Sequence, residues 1–199
     1  TEIIDWLQEQ FEEGVIVDKI DLSGPGDPLV TIDQTMETVK LIRSHYPDLH
    51  LTIKTLGIAG EKYADQLAKA GISHVELLID ALDPEVLEKL YAWIRPGFRT
   101  LPLPEAVSIL KQEQEKALRA FKDAGLEVTV RTTCYPENNI DHIKKIAKFA
   151  GKNGADQMVL VPHPSTEDAE ISLQPVDPET IQAVSMAASK YIKIEVQYN

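Results

Sequence analysis

Two hydrophobic periods alternate along this chain. Short runs rich in β-branched and apolar residues predict strands at Val15–Ser23 (VIVDKIDLS), His50–Thr55 (HLTIKT), His74–Asp80 (HVELLID), Glu127–Thr133 (EVTVRTT) and Gln157–Pro162 (QMVLVP), with a sixth at Ile192–Gln197. Between them the apolar positions recur at helical spacing. Ile32, Met36 and Val39 mark one helix, and Glu61–Ala70 a short second one that Gly71 closes with a left-handed cap. Asp83-Pro84-Glu85 opens a third, with Asp at the N-cap and Pro at the first helical position. The helix from Pro104 to Ala124 carries Ala106, Ile109, Leu110, Ala117, Ala120 and Phe121 on one face and stops at Gly125. Ile143, Ile146, Ala147 and Ala150 mark the next, and a second Asp-Pro-Glu, Asp177 to Glu179, opens the last.

Strands alternating with helices imply an α/β fold with parallel strands joined by right-handed crossovers. Six such units either close into a barrel or stay an open sheet. There is no fixed-period repeat and no linker, so the chain reads as one domain over 1–199. Within it, 164–199 forms a C-terminal extension carrying the last helix and strand. The irregular stretches are Ile94–Pro104 and Pro164–Val176. In either parallel architecture a ligand lies at the carboxyl ends of the strands. That rule selects Gly24–Pro28, Lys54–Gly57, Asp80–Ala81, Arg131–Pro136 and Pro162–Pro164 as the chemical loops.

Composition narrows the classes. The chain is 43% apolar and 26% charged, as soluble globular proteins are. No apolar run reaches the roughly 18 residues that span a bilayer, so a membrane partner is not expected. The formal charge of −12 argues against a nucleic-acid partner, whose phosphates must be neutralised. The single cysteine, Cys134, excludes an internal disulfide and an all-thiolate metal site, and fits a reducing cytoplasm. Thr1 in place of methionine suggests a trimmed piece of something longer.

The sharpest local signal is Ser23–Leu29, SGPGDPL. Gly24 and Gly26 let backbone approach a ligand, Pro25 and Pro28 stiffen the turn, and the Asp27 carboxylate can receive an ammonium group. The alternative is a strand-to-helix turn capped by Asp27. Asp80 ends an apolar strand, where it either meets a ribose hydroxyl or a cation or forms an N-cap or a salt bridge to Lys54 or Arg131. Arg131 in a buried-looking strand must be paired or bind an anion. Cys134 and His163 are each either reactive or ordinary packing and loop residues. Thr132 and Thr133 read as strand residues. His45, His50, His74 and His142 lack ligand spacing, and Trp6, Trp93 and Tyr91 read as packing residues.

In order, GPGDPL, then TLG, then DALDPEVLEKLYAWI, then CYPENNIDHI resemble the radical S-adenosylmethionine (SAM) superfamily, and within it the NifB-type nitrogenase-cofactor maturases. The resemblance runs from about Val15 to Pro164. It implies a partial parallel (β/α)6 TIM-like barrel of the radical SAM type, missing its first strand. It also implies SAM and a [4Fe–4S] cluster as cofactors, and a small-molecule or metallocluster substrate. By the same resemblance Gly24, Pro25, Gly26, Asp27 and Pro28 hold the methionine amino group, with Thr55 in the following loop. Asp80 meets the ribose and carboxylate, Arg131 lies on the next strand, and Pro162 and His163 lie near the adenine.

The departures are specific. The C-x-x-x-C-x-x-C cluster motif is absent, Leu56-Gly57 stands where the family has Asn-Gly, and Asp80 replaces an asparagine. Reductive cleavage of SAM is therefore expected only of a longer protein, and this chain alone is expected to be inactive. A missing barrel strand leaves the first strand's edge bare, so the chain is expected to self-associate there or to cover the edge with Thr1–Glu13. The alternatives are a cluster-free nucleoside- or anion-binding scaffold and an aldolase-like lyase using Lys54.

Overall fold

The computed structural model describes residues 2–24, 26–95, 101–163 and 175–198. Pro25, and most of the expected irregular stretch after His163, lie outside the described residues. Helix α1 (Glu2–Glu12) leads into β1 (Lys19–Leu22), α2 (Ile32–His45), β2 (His50–Thr55), α3 (Gly60–Ala70) and β3 (His74–Leu78). Then come α4 (Pro84–Leu90), α5 (Leu103–Asp123), β4 (Glu127–Cys134), α6 (Ile143–Lys152), β5 (Gln157–Pro162), α7 (Pro178–Ala188) and β6 (Lys193–Val196).

The six strands pair in sequence order, all parallel. Sequential order with crossovers of one hand puts every crossover helix on the same face of the sheet. The strand pattern obeys this. Leu51, Ile53, Val75, Leu77, Val128, Val130, Met158 and Leu160 join the main core with Leu67, Leu118 and Phe121 of the helices. The alternate residues, among them Asp21, Lys54, Glu76, Thr129 and Arg131, line the opposite, concave face. β1 does not pair with β6, so the barrel is open. Two glycines fix the layout. Gly71, at φ +94, ends α3 as its spacing predicts. At Gly60 a Cβ would stand 2.6 Å from Ala117 Cβ and 2.8 Å from Phe121 Cζ, so only glycine lets α3 lie this close to α5.

Several expectations are corrected. The first strand is shorter than Val15–Ser23 because pairing begins at Lys19↔His50; Val15 and Ile16 have no neighbouring strand among the described residues, and Ile16 is 93% exposed. Asp83 precedes α4 but does not cap it. Its carboxylate instead accepts from His142 Nδ1 at 2.9 Å and pairs with Lys145. The second Asp-Pro-Glu behaves as expected, with Asp177 accepting from Thr180 N at 2.9 Å. Trp6 and Trp93 are exposed rather than packed. Helix α1 buries Ile4 and Leu7 and packs on α2.

Candidate functional site

The mouth of the open barrel is built where strands end and their loops turn outward. After β1 the chain forms the Gly24–Pro28 turn, and the Asp27 carboxylate is spent on holding it. Oδ1 accepts from Leu29 N at 2.9 Å, and Oδ2 accepts from Leu56 N at 2.6 Å. The Thr55 hydroxyl reaches both oxygens at 2.9 Å, and itself accepts from Gly57 N at 2.9 Å. Asp27 and Thr55 therefore lock the first loop to the end of β2, which agrees with the reading of Asp27 as a turn-forming residue. The turn's backbone stays accessible: a Cβ added at Gly24 or Gly26 would meet nothing within 4 Å. Beside it, Ser23, Gly24, Gly26, Pro28, Gln34 and Thr38 line a groove of about 230 Å³. That is below the usual volume for a whole ligand and fits only one end of one.

Between β3 and β4 the organising group is Asp80. It forms neither the N-cap nor the salt bridge to Lys54 or Arg131 that the sequence left open. Oδ1 accepts from Thr133 N at 2.8 Å, and Oδ2 accepts from the Tyr91 hydroxyl at 3.3 Å. Tyr91 is thus a hydrogen-bonding partner as well as a packing residue. Burial pushes the Asp80 carboxyl up to about 6, against the lowering effect of those two hydrogen bonds.

Asn139, which the sequence reading missed, is fully buried beneath this corner. Nδ2 donates to Asp80 O at 2.8 Å and Thr133 O at 2.7 Å, while Oδ1 accepts from Tyr135 N at 2.7 Å. Its one sequence signal is position, an asparagine in the short turn between β4 and α6.

The remaining candidates lie apart. Pro162 ends β5 opposite Cys134, and His163 N donates to Cys134 O at 3.0 Å. The His163 ring stands 5.0 Å from that of Tyr135, and its Nδ1 is buried without a hydrogen-bond partner among the described residues. Cys134 faces the helices, fully buried, and burial pushes its thiol up to about 12. Arg131 is paired, donating to Gln197 Oε1 at 2.7 Å and lying 3.7 Å from Glu76. Lys54 Nζ, the amine an aldolase would use, sits between two carboxylates, 3.4 Å from Asp21 and 3.5 Å from Glu76. Glu76 and Gln197 were also missed, because only the sheet brings them to Arg131.

One stability consequence follows from Asp80. Its folded value of about 6 lies above its ordinary 3.8, so the folded state favours the protonated form. Stability from this group is fully present below about pH 4 and is lost as pH rises through about 6, a change on the order of 3 kcal/mol. Asp80→Asn keeps an acceptor for Thr133 N and removes the charge. It is expected to unfold at higher urea than the parent near pH 8 and at the same urea near pH 4. Equal midpoints at both pH values would show that the carboxyl carries no burial penalty.

The profile of the radical SAM superfamily matches residues 2–150. The FeMo cofactor biosynthesis protein NifB of Chlorobaculum tepidum is 31% identical over 174 residues, covering 87% of this chain and 41% of that protein. NifB of Methanocaldococcus infernus is 27% identical over 191 residues, covering 96% of this chain and 62% of that one. The chain therefore spans less than two thirds of these relatives. Among solved structures, a radical SAM methyltransferase from Sphaerobacter thermophilus superposes with TM-score 0.69 at 17% identity, over 98% of this chain and 55% of the other. SuiB of Streptococcus suis bound to S-adenosylmethionine gives 0.68 at 16% identity, over 97% and 43%. At these identities the two structures bear on fold alone, and both are barrels of the kind seen here. No helix among the described residues is long and apolar enough to cross a membrane. From the match over residues 2–150, this chain belongs to the radical SAM superfamily.

Proposed function

We propose that these residues form the barrel wall and SAM-binding mouth of a radical SAM enzyme. The observation that carries this reading is the mouth itself. Six successive parallel strands end at one rim, and the Gly24–Pro28 turn is fastened there by Asp27 with the backbone of Gly24 and Gly26 open to a ligand. Gly24 and Gly26 would receive the amino-acid end of SAM through backbone groups, held in place by Asp27 and Thr55. Asp80 would face the ribose, with Arg131 on the wall and Pro162 and His163 on the far rim. The substrate would lie over the strand ends within the barrel.

The cluster is a different matter. A family [4Fe–4S] cluster needs three thiolates. This chain offers one, Cys134, buried on the helix face with its thiol pushed up to about 12. Among the described residues no three His, Cys, Asp or Glu side chains are grouped as a metal ion requires. The residues present do not fit the cluster, which in this family supplies the electron that cleaves SAM. The thiolates would have to come from outside these 199 residues, and the chain by itself would bind SAM without cleaving it. The same cysteine observation favours a second reading, a cluster-free scaffold for a nucleoside.

Two measurements separate these readings. Titrating SAM into this chain calorimetrically is expected to give saturable binding under both. Anaerobic reconstitution of the full natural protein with iron and sulfide, followed by reduction, is expected to yield 5′-deoxyadenosine under the first alone. A cluster-loaded protein that releases none leaves the scaffold reading standing.

A further inference from the structure

The concave wall carries a charge array of which the proposed SAM-binding mouth includes only Arg131. Asp21 of β1, Lys54 of β2, Glu76 of β3 and Arg131 of β4 all point away from the helices, with Lys19 below them and Gln197 following β6. Lys54 and Glu76 are register partners, and Arg131 pairs with Leu78, so the array climbs toward the strand ends. Lys19 Nζ holds Asp21 at 3.1 Å, but the inner spacing is loose. Lys54 Nζ is 3.4 Å from Asp21 and 3.5 Å from Glu76 Oε2, and Arg131 Nη1 is 3.7 Å from that same Oε2. All three exceed hydrogen-bond distance.

Buried ion pairs repay their desolvation only with close, hydrogen-bonded geometry. Glu76 is 7% exposed, and its Oε2 is buried without a hydrogen-bond partner among the described residues. Such an atom in a folded protein calls for an explanation beyond packing. The Arg131 guanidinium is meanwhile braced by Gln197 through Nη1, the one nitrogen of the group that the described residues hydrogen-bond. Lys19, Lys54 and Arg131 face Asp21 and Glu76, and Glu127, Lys193 and Glu195 lie on the exposed margins of the same face, so the wall is balanced in charge while its inner ion pairs stay loose.

We propose that this wall receives one anionic group, a carboxylate or a phosphate, of a ligand lying in the barrel, with Arg131 and Lys54 as the receiving cations and Glu76 as the counter-ion the ligand displaces. Arg131 offers the planar donor fork such groups take. The loose spacing lets Glu76 give way without breaking a hydrogen bond. This rests on the reading that the ligand enters the barrel at the strand ends.

The test titrates inorganic phosphate into the full chain by calorimetry. Saturable binding that weakens with added salt is expected. Arg131→Gln is expected to lower the affinity about tenfold or more. Glu76→Gln is expected to raise it several-fold, because the competing carboxylate is gone; a purely structural Glu76 would give the opposite sign. Melting curves and circular dichroism check folding, and Glu76→Gln decides the matter if Arg131→Gln does not fold. Absent saturation, an unchanged affinity in Arg131→Gln, or weaker binding in Glu76→Gln overturns the proposal.

Repeating the titration with SAM present identifies the source of the group. Competition assigns it to SAM's own carboxylate, and simultaneous binding assigns it to the substrate. Because this readout needs no SAM cleavage, failure of the enzyme reading and failure of the wall site are seen separately.

Discussion

Replacing Asn139 by alanine is expected to lower the melting temperature by roughly 10 °C. The side chain is fully buried and makes three hydrogen bonds, to the carbonyls of Asp80 and Thr133 and from the amide of Tyr135. Each partner belongs to a different piece of the barrel mouth: the end of β3, the end of β4, and the loop that follows. Alanine removes all three bonds and leaves two carbonyls and one N–H without their partner. An orphaned buried group costs about 1–3 kcal/mol, so the sum is about 4 kcal/mol. For a domain of this size that corresponds to roughly 2–4 °C per kcal/mol. Asn139→Asp keeps the acceptor for Tyr135 but turns a carboxylate oxygen toward the two carbonyls, and is expected to melt no higher than alanine. Calorimetric melts of the three proteins check this, and an alanine variant melting within about 2 °C of the parent would refute the bracing role.

Asn139 also shows where sequence reading stops. The alternation of periods in this chain was legible because every strand must present one face to the helices, and that requirement writes itself into alternate residues. Helix ends at Gly71 and Asp177 were legible for the same reason, since cap chemistry is local. The two Asp-Pro-Glu segments mark the boundary. Asp177 bonds its own helix, whereas Asp83 is drawn to His142 and Lys145, some sixty residues away in sequence. No local rule distinguishes them.

The site residues follow that division. Gly24 to Pro28 announced a turn, yet what the turn does with its carboxylate depends on Thr55 and Leu56, which β1–β2 pairing alone brings near. Arg131 announced a need for a partner, and the parallel register supplied Glu76 and, just after the last strand, Gln197. Val15 and Ile16 looked like strand because they are β-branched, but a strand also needs a neighbour, and the register begins at Lys19. Residue type was readable throughout; partnership across the sheet was not.

That dependence makes Asp27 the most exacting test of the mouth. Its carboxylate takes hydrogen bonds from Leu29 N, Leu56 N and the Thr55 hydroxyl, and these are the ties by which the Gly24–Pro28 turn is held over the sheet. Bonds to a charged acceptor contribute about 1.5–3 kcal/mol each when buried; Asp27 is only half-buried, so Asp27→Ala is expected to cost about 3 kcal/mol in all.

The larger effect falls on binding. A turn freed from β2 must be ordered again by the ligand, and SAM affinity in a calorimetric titration is expected to drop more than about tenfold. Asp27→Asn retains one acceptor oxygen but turns an amide N–H₂ toward donors, and is expected to lose affinity with a smaller loss of stability. If Asp27→Ala melts like the parent yet no longer binds SAM, the carboxylate touches the ligand directly and the positioning role is wrong. Unchanged melting together with unchanged affinity would mean that the turn needs no fastening, and the mouth would have to be sought at another set of strand ends.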